Sequence, residues 1–229
     1  MSTPSPRSQV KVVIIEDHTL FAESLELALN LEGYAVRRIA DADTNGSAQA
    51  MLTSVVRMRP RIVLLDLDLG RLGDGVRLIT PLVKAGVNVV VVTASTERAR
   101  WGECLVHGAR KVLSKTQPLN DILATVRRIN QGFPVIDREE REALVGHWHE
   151  HREERAALKQ RLTQLTPREE AVLGELMLGR TVRDIATASV VSEATVRTQV
   201  KSILAKLEVS SQLAAVGLAN SAGWRPASR

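Results

Sequence analysis

Five positions in the first half of the chain carry residue types that together can handle a phosphoryl group: the acid pair Glu16 and Asp17, then Asp66, Thr93 and Lys115. Each ends or follows a short apolar, mostly β-branched run. Glu16 and Asp17 close residues 10–15, Asp66 closes 62–65, Thr93 closes 87–92, and Lys115 comes just after Val112 and Leu113. If these runs are neighbouring strands, their carboxyl ends bring the acids together. Carboxylates held so close repel unless a cation lies between them, and Mg²⁺ takes a few carboxylates while keeping positions for water and phosphate oxygens. A carboxylate in such a pocket can attack a phosphoryl group and become an aspartyl phosphate. A lysine and a hydroxyl donor then meet the charge on the transferring oxygens.

The elements that position these groups alternate in type. Strand patterns at 10–15, 35–40, 62–65, 87–92 and 112–113 are separated by helical patterns at 19–31, 44–57, 76–84, 96–107 and 119–131. Continuous apolar runs fit strands buried on both faces, as in a parallel sheet. Five such βα units predict a doubly wound five-stranded parallel α/β sheet, whose ligand site lies at the carboxyl ends of the strands. In the first helix Leu20, Leu25, Leu27 and Leu31, with Ala28, are expected on one broad side.

This constellation resembles the receiver domain of two-component systems, with its flavodoxin/CheY-like fold, over residues 10–132. The resemblance implies that Asp66 accepts the phosphoryl group from a phosphohistidine of a sensor histidine kinase. It implies Mg²⁺ on Asp17, Asp66 and the Asp68 backbone carbonyl, with Glu16 acting through water. Lys115 would pair with the phosphoryl group, and Thr93 would be the switch hydroxyl. Two departures stand out. The loop from Asp66 to Gly75 lacks the Met-Pro usual in the family and is one residue longer, and Val112 replaces the usual switch Tyr or Phe. Asp66-Leu67-Asp68 also resembles the opening motif of haloacid-dehalogenase-like phosphohydrolases. Those enzymes, however, carry further acids after the lysine, whereas this chain has its acid pair at the first strand and turns helical beyond Lys115. An enzyme is not expected.

Residues 137–164 are crowded with Glu, Arg and His. Leu144, His151, Leu158 and Leu165 recur every seven residues beside Trp148, Arg155 and Leu162, so a dimer coiled coil and a solvated linker helix both fit. His147, His149 and His151 do not share one helical face, which argues against a metal.

From Leu165 onward the rhythm is helical. Thr166-Pro167-Arg168-Glu169 is a capping box with Pro at the first helical position, and Gly179 follows as a C-cap. Thr181 opens a second helix, Ser192 caps a third to Leu207, and Ser210 or Ser211 caps a fourth. Val196, Val200, Ile203 and Leu207 form the inward stripe of the third. A short helix, a tight turn and a longer capped helix make a helix-turn-helix, whose second helix enters the major groove. Leu165 to Glu169, Ile185-Ala186, Ser192 to Lys201 and Lys206-Leu207 resemble the LuxR-type DNA-binding domain of the NarL/FixJ class. By that likeness Arg197, Thr198 and Lys201 contact bases, Ser192, Thr195 and Lys206 position the phosphate backbone, and the fourth helix carries a dimer contact. Gln199 and Gln212 stand where His and Arg are common, so operator preference does not carry over.

Composition agrees. The 229 residues carry a net charge of +5, which suits a nucleic-acid partner without requiring one. The one cysteine, Cys104, allows no intrachain disulfide and sits in a packing pattern. No apolar run reaches membrane-spanning length, and residues 1–9 are polar rather than signal-like, so a cytoplasmic protein is expected. The expected division is a receiver at 9–132, a charged helical linker at 133–164 and a DNA-binding domain at 165–229. The expected function is a transcriptional regulator switched by phosphorylation of Asp66, working as a homodimer on double-stranded DNA, with no membrane partner. The alternative is a phosphorylation-independent regulator whose atypical receiver serves dimerisation.

Overall fold

The computed structural model describes residues 10–39 and 47–226. The polar stretch 1–9, the expected end of the second strand at Ala40 and the expected first residues of the second helix lie outside them. The chain forms two compact units, Met1–His149 and Glu150–Arg229.

In the first unit β1 (Lys11–Ile15), β2 (Ala35–Ile39), β3 (Ile62–Leu65), β4 (Asn88–Thr93) and β5 (Lys111–Ser114) form one sheet in the order β2-β1-β3-β4-β5. Every pairing is parallel. The strand period of two divides their side chains between two cores. Val12, Ile14, Ile62, Leu64, Val90 and Val92 pack with Leu25, Leu29, Ile122 and Val126. Val13, Ile15, Val63, Leu65, Val89 and Val91 pack with Met51, Val55, Ile79, Leu82 and Leu105 on the other face. β2 is one of the two edge strands. Arg37 and Arg38 lie exposed there, and Arg38 pairs with Glu26 at 2.6 Å.

The helices are α1 (Thr19–Leu31), α2 (Ala48–Met58), α3 (Val76–Lys84), α4 (Arg98–Val106) and α5 (Leu119–Asn130). One expectation about α1 is corrected. Its buried stripe is Ala22, Leu25 and Leu29, while Leu20, Leu27 and Leu31 are 81%, 64% and 81% exposed. Residues seven or eleven apart share a helical face to within about 20°, so Leu27 and Leu31 travel with Leu20 and turn away from the sheet when Leu25 turns towards it.

A tenth of the chain lies in one long helix, α6 (Arg138–Leu162). Its first turns belong to the first unit. Leu144 is buried in the core that holds Cys104, Leu105 and Val112, and the Arg141 guanidinium donates to the Leu105 carbonyl at 2.9 Å. Gly102 in α4 makes this approach possible, because a Cβ there would stand 2.0 Å from the Leu144 carbonyl oxygen. The last turn of α6 buries Leu162 in the second unit. Residues 149–157 between are all exposed, His151 and Arg155 included, so among the described residues no unbroken apolar seam runs along α6.

The second unit adds α7 (Pro167–Met177), α8 (Val182–Ser189), α9 (Glu193–Leu207) and α10 (Gln212–Ser221). Side chains close the orphan amides at each start. Thr166 with Glu169 and Thr181 with Asp184 make capping boxes, and Ser192 and Ser211 accept from Thr195 and Ala214. Val196, Val200, Ile203 and Leu207 are buried, as their spacing predicts. The corner between α8 and α9 turns through Val190, a β-branched residue in the left-handed region (φ 54°) and 91% exposed.

Replacing a helical glycine with alanine ordinarily stabilises by up to about 1 kcal/mol. Gly102→Ala should instead destabilise the first unit by about 2 kcal/mol through overpacking. Hydrogen exchange is expected to rise across residues 138–148 while β1 and β3 keep their protection.

Candidate functional site

The register of the sheet assembles the site. Ile15 pairs with Leu65, Leu65 with Val91, and Thr93 with Ser114, so the residues that follow these strands emerge side by side. The Asp66 amide donates to the Ile15 carbonyl at 2.9 Å and the Lys115 amide to that of Thr93 at 2.8 Å. Glu16, Asp17, Asp66, Thr93 and Lys115 therefore all come together at the carboxyl end.

The Lys115 ammonium donates to Glu16 Oε1 at 2.6 Å and to Asp66 Oδ2 at 2.7 Å. Both carboxylate side chains are only 2% exposed. Burial pushes the Glu16 carboxyl above its ordinary 4.5, against the pull of Lys115. Burial would lower Lys115, but its hydrogen bonds to Asp66 and Glu16 outweigh that and hold the ammonium above 10.5. The second oxygen of Asp66, Oδ1, accepts from the Leu67 amide at 2.7 Å. Thr93 is buried, and its Oγ accepts from the Ser95 amide at 3.1 Å.

Asp66, Thr93 and Lys115 line a cleft of about 430 Å³ together with His18, Asp68, Asp74, Ser95 and Arg100. His18 was not among the residues singled out from sequence. Its Nδ1 lies 2.8 Å from Asp17 Oδ1 and 3.1 Å from Glu16 Oε1. Its place directly after the acid pair, at the entry to α1, was the available signal. Arg100 was also missed, since it sits within a helix and belongs to no motif.

The long loop after Asp66 is ordered by its own backbone. Asp68 and Asp74 bridge across it, residues Gly70–Leu72 form a 3₁₀ turn, and the Gly75 amide donates to the Leu67 carbonyl at 2.8 Å. Gly75 must lack a side chain, because a Cβ would stand 2.2 Å from the Asp66 carbonyl oxygen. Asp74 Oδ1 accepts from the Val76 amide at 3.0 Å, closing the start of α3.

In the second unit α9 exposes Arg197, Thr198 and Lys201 beside its buried stripe. Arg197 pairs with Glu193 at 3.2 Å, and the Thr198 hydroxyl donates to the Ala194 carbonyl. Ser192 and Thr195 are joined hydroxyl to hydroxyl at 2.9 Å at the helix start. Lys206 stands at the far end, away from the other five, and its ammonium donates to Glu169 Oε2 at 2.6 Å. Glu169 is buried and also accepts from the Ser202 hydroxyl and the Thr166 amide. Burial alone would raise this carboxyl; the donors, Lys206 first, outweigh it and bring it down to about 2.

The model of the response regulator receiver domain matches residues 12–127, half of the chain, and that of bacterial regulatory proteins of the luxR family matches residues 163–219. The chain belongs to the response regulators, with a receiver followed by a LuxR-type DNA-binding domain, a family of DNA-binding transcriptional regulators. It is 30% identical over 217 residues to the probable transcriptional regulatory protein NarL of Mycobacterium tuberculosis, covering 94% of this chain and 95% of that protein. It is 27% identical over 215 residues to the nitrate/nitrite response regulator protein homolog of Haemophilus influenzae, covering 93% and 97%. The fold is similar to that in the structure of the two-component response regulator RcsB–DNA complex, with a TM-score of 0.50 and 20% identity over 93% of this chain and 98% of that one. No single described helix is long and apolar enough to cross a membrane.

A carboxyl held low in the fold adds stability above its unfolded value, here 4.5, and that stability is lost as pH falls towards about 2. Glu169→Gln should lower the stability of the second unit by about 2 kcal/mol at neutral pH, read as amide exchange in α7 and α9. The variant should also decline less steeply than the wild type between those two pH values.

Proposed function

We propose that Asp66 is the phosphoacceptor of this regulator, that a sensor histidine kinase supplies the phosphoryl group, and that the modification controls how α9 engages double-stranded DNA. The observation that carries this is the Lys115 ammonium bridging buried Asp66 and Glu16 at hydrogen-bond distance inside the cleft. In the transfer an Asp66 oxygen attacks phosphorus and the P–N bond of the phosphohistidine breaks. The imidazole leaves with the electron pair and takes up a proton. Lys115 meets the incoming negative charge, and the Thr93 hydroxyl donates to a phosphoryl oxygen.

The cleft suits a hard cation. The ligand atoms of Glu16, Asp17, His18 and Asp66 lie within 4.8 Å of one another, and three of the four are carboxylate oxygens. Mg²⁺ fits this set, held by Asp17 and Asp66 with Glu16 and the Asp68 carbonyl beside them; bound there, it supplies positive charge to the phosphoryl oxygens.

The receiver is taken as residues 9–132, the charged linker as 133–164 and the DNA-binding domain as 165–229. On DNA, Arg197, Thr198 and Lys201 reach base edges, while Ser192 and Thr195 meet phosphates at the start of α9. Lys206 adds a phosphate contact from its place beside Glu169. A homodimer presents two recognition helices one turn of DNA apart, in the cytoplasm.

Intact mass after incubation with Mg²⁺ and acetyl phosphate tests the acceptor. One phosphoryl adduct is expected on the wild type and none on Asp66→Asn. No adduct on either would favour a regulator that works without phosphate. On the DNA side, Arg197→Ala should weaken operator binding by about tenfold, measured at fixed salt; unchanged affinity would remove Arg197 from the recognition surface.

A further inference from the structure

Negative charge is in excess around the cleft. Asp66, Asp68 and Asp74 line it, Glu16 and Asp17 bring their carboxylates within 4.8 Å of that of Asp66, and the two permanent cations among the lining residues are Lys115 and Arg100. Lys115 is already divided between Glu16 and Asp66. An acyl phosphate at Asp66 would carry about 1.5 to 2 negative charges in place of the carboxylate's one, on oxygens that Lys115, still paired with Glu16, cannot satisfy alone.

Arg100 stands opposite, on α4. Its Nη2 donates to Asp74 Oδ1 at 3.0 Å, within the loop that follows Asp66. That contact is a weak tether. Both side chains are about one-third exposed, and partly solvated ion pairs contribute little. Asp74 Oδ1 keeps its other partner, the Val76 amide, whether or not Arg100 is present. The guanidinium is planar and matches two phosphoryl oxygens at once, which one aspartate oxygen does not. The small residues Ala94 and Ser95 line the cleft beside it.

We infer that Arg100 is a second phosphoryl-binding residue, parked on Asp74 while Asp66 is bare and exchanged onto the phosphoryl oxygens once Asp66 is modified. The inference rests on Asp66 being the phosphoacceptor. It also supplies a path outward that needs no aromatic residue at position 112. Trp101, next to Arg100, donates its indole N–H to the Ser95 carbonyl at 2.8 Å, and Gly102 carries the backbone contact with Leu144 of α6. A pull on Arg100 therefore acts on the helix against which the first turns of α6 are packed.

The test uses beryllofluoride, a non-covalent stand-in for the phosphoryl group, titrated into the full chain with Mg²⁺ and followed by ¹⁹F resonances of the bound species. Arg100→Ala should need about tenfold more beryllium than the wild type, the loss of one charge-assisted contact, with Arg100→Lys between. Asp74→Asn removes the parking charge but keeps an oxygen for the Val76 amide; it should bind as tightly as the wild type or more tightly. If Arg100→Ala matches the wild type, or if it and Asp74→Asn weaken binding alike, Arg100 only braces α4 and the inference is overturned. If the wild type binds no more beryllofluoride than Asp66→Asn, the phosphoacceptor reading itself fails and takes this inference with it.

Discussion

Parallel strands in register deliver side chains to one end of a sheet whether or not those side chains tolerate each other. In this protein they deliver Glu16 and Asp66, both almost fully buried, and the Lys115 ammonium between them is what makes the arrangement bearable. An unpaired buried charge costs several kcal/mol, far more than a solvated one. The triad therefore has a fixed logic: the sheet sets the spacing, the lysine neutralises it, and the loops take their positions around the result. The same interaction leaves the cleft poised, because Lys115 is committed to carboxylates that a phosphoryl group or a divalent cation would rearrange.

The loop after Asp66 shows how that centre propagates. Gly75 packs against the Asp66 carbonyl, Asp74 closes the start of α3 and reaches Arg100, and Arg100 is neighbour to the residues that hold α4 against α6. From Asp66 to Arg100 the steps are a backbone approach and short polar contacts, while α6 adds Leu144 packed in the core that holds Cys104 and Leu105.

Much of this was legible from residue types. Asp66 and Thr93 stand at the ends of β-branched runs that fit buried strands, Lys115 follows the weaker strand signal Val112-Leu113, and the N-caps at Thr166, Thr181 and Ser192 mark helix starts through their own hydrogen-bonding chemistry. β2 was weaker because an edge strand exposes Arg37 and Arg38 and so lacks the continuous apolar pattern. The leucines of α1 misled because apolar side chains cover more than half of its circumference and leave its rotation to the sheet beneath. His18, Asp74 and Arg100 were invisible for a different reason: they join the cleft through tertiary placement of ordinary polar residues. Lys206 was read as a contact to the phosphate backbone, and its ion pair with Glu169, far away in sequence, became visible only in the fold.

Val190 carries a consequence for the recognition surface. A β-branched residue in the left-handed region costs about 1–2 kcal/mol, and its side chain, nearly all in solvent, recovers none of that through burial. The corner between α8 and α9 thus owes nothing to the preference of the residue that makes it. Its geometry is dictated from beneath, by Ile185, Ala186, Val196 and Val200 closing on one another. The corner is a passive joint, and the tilt at which α9 meets its target is written in the hydrophobic residues under the turn.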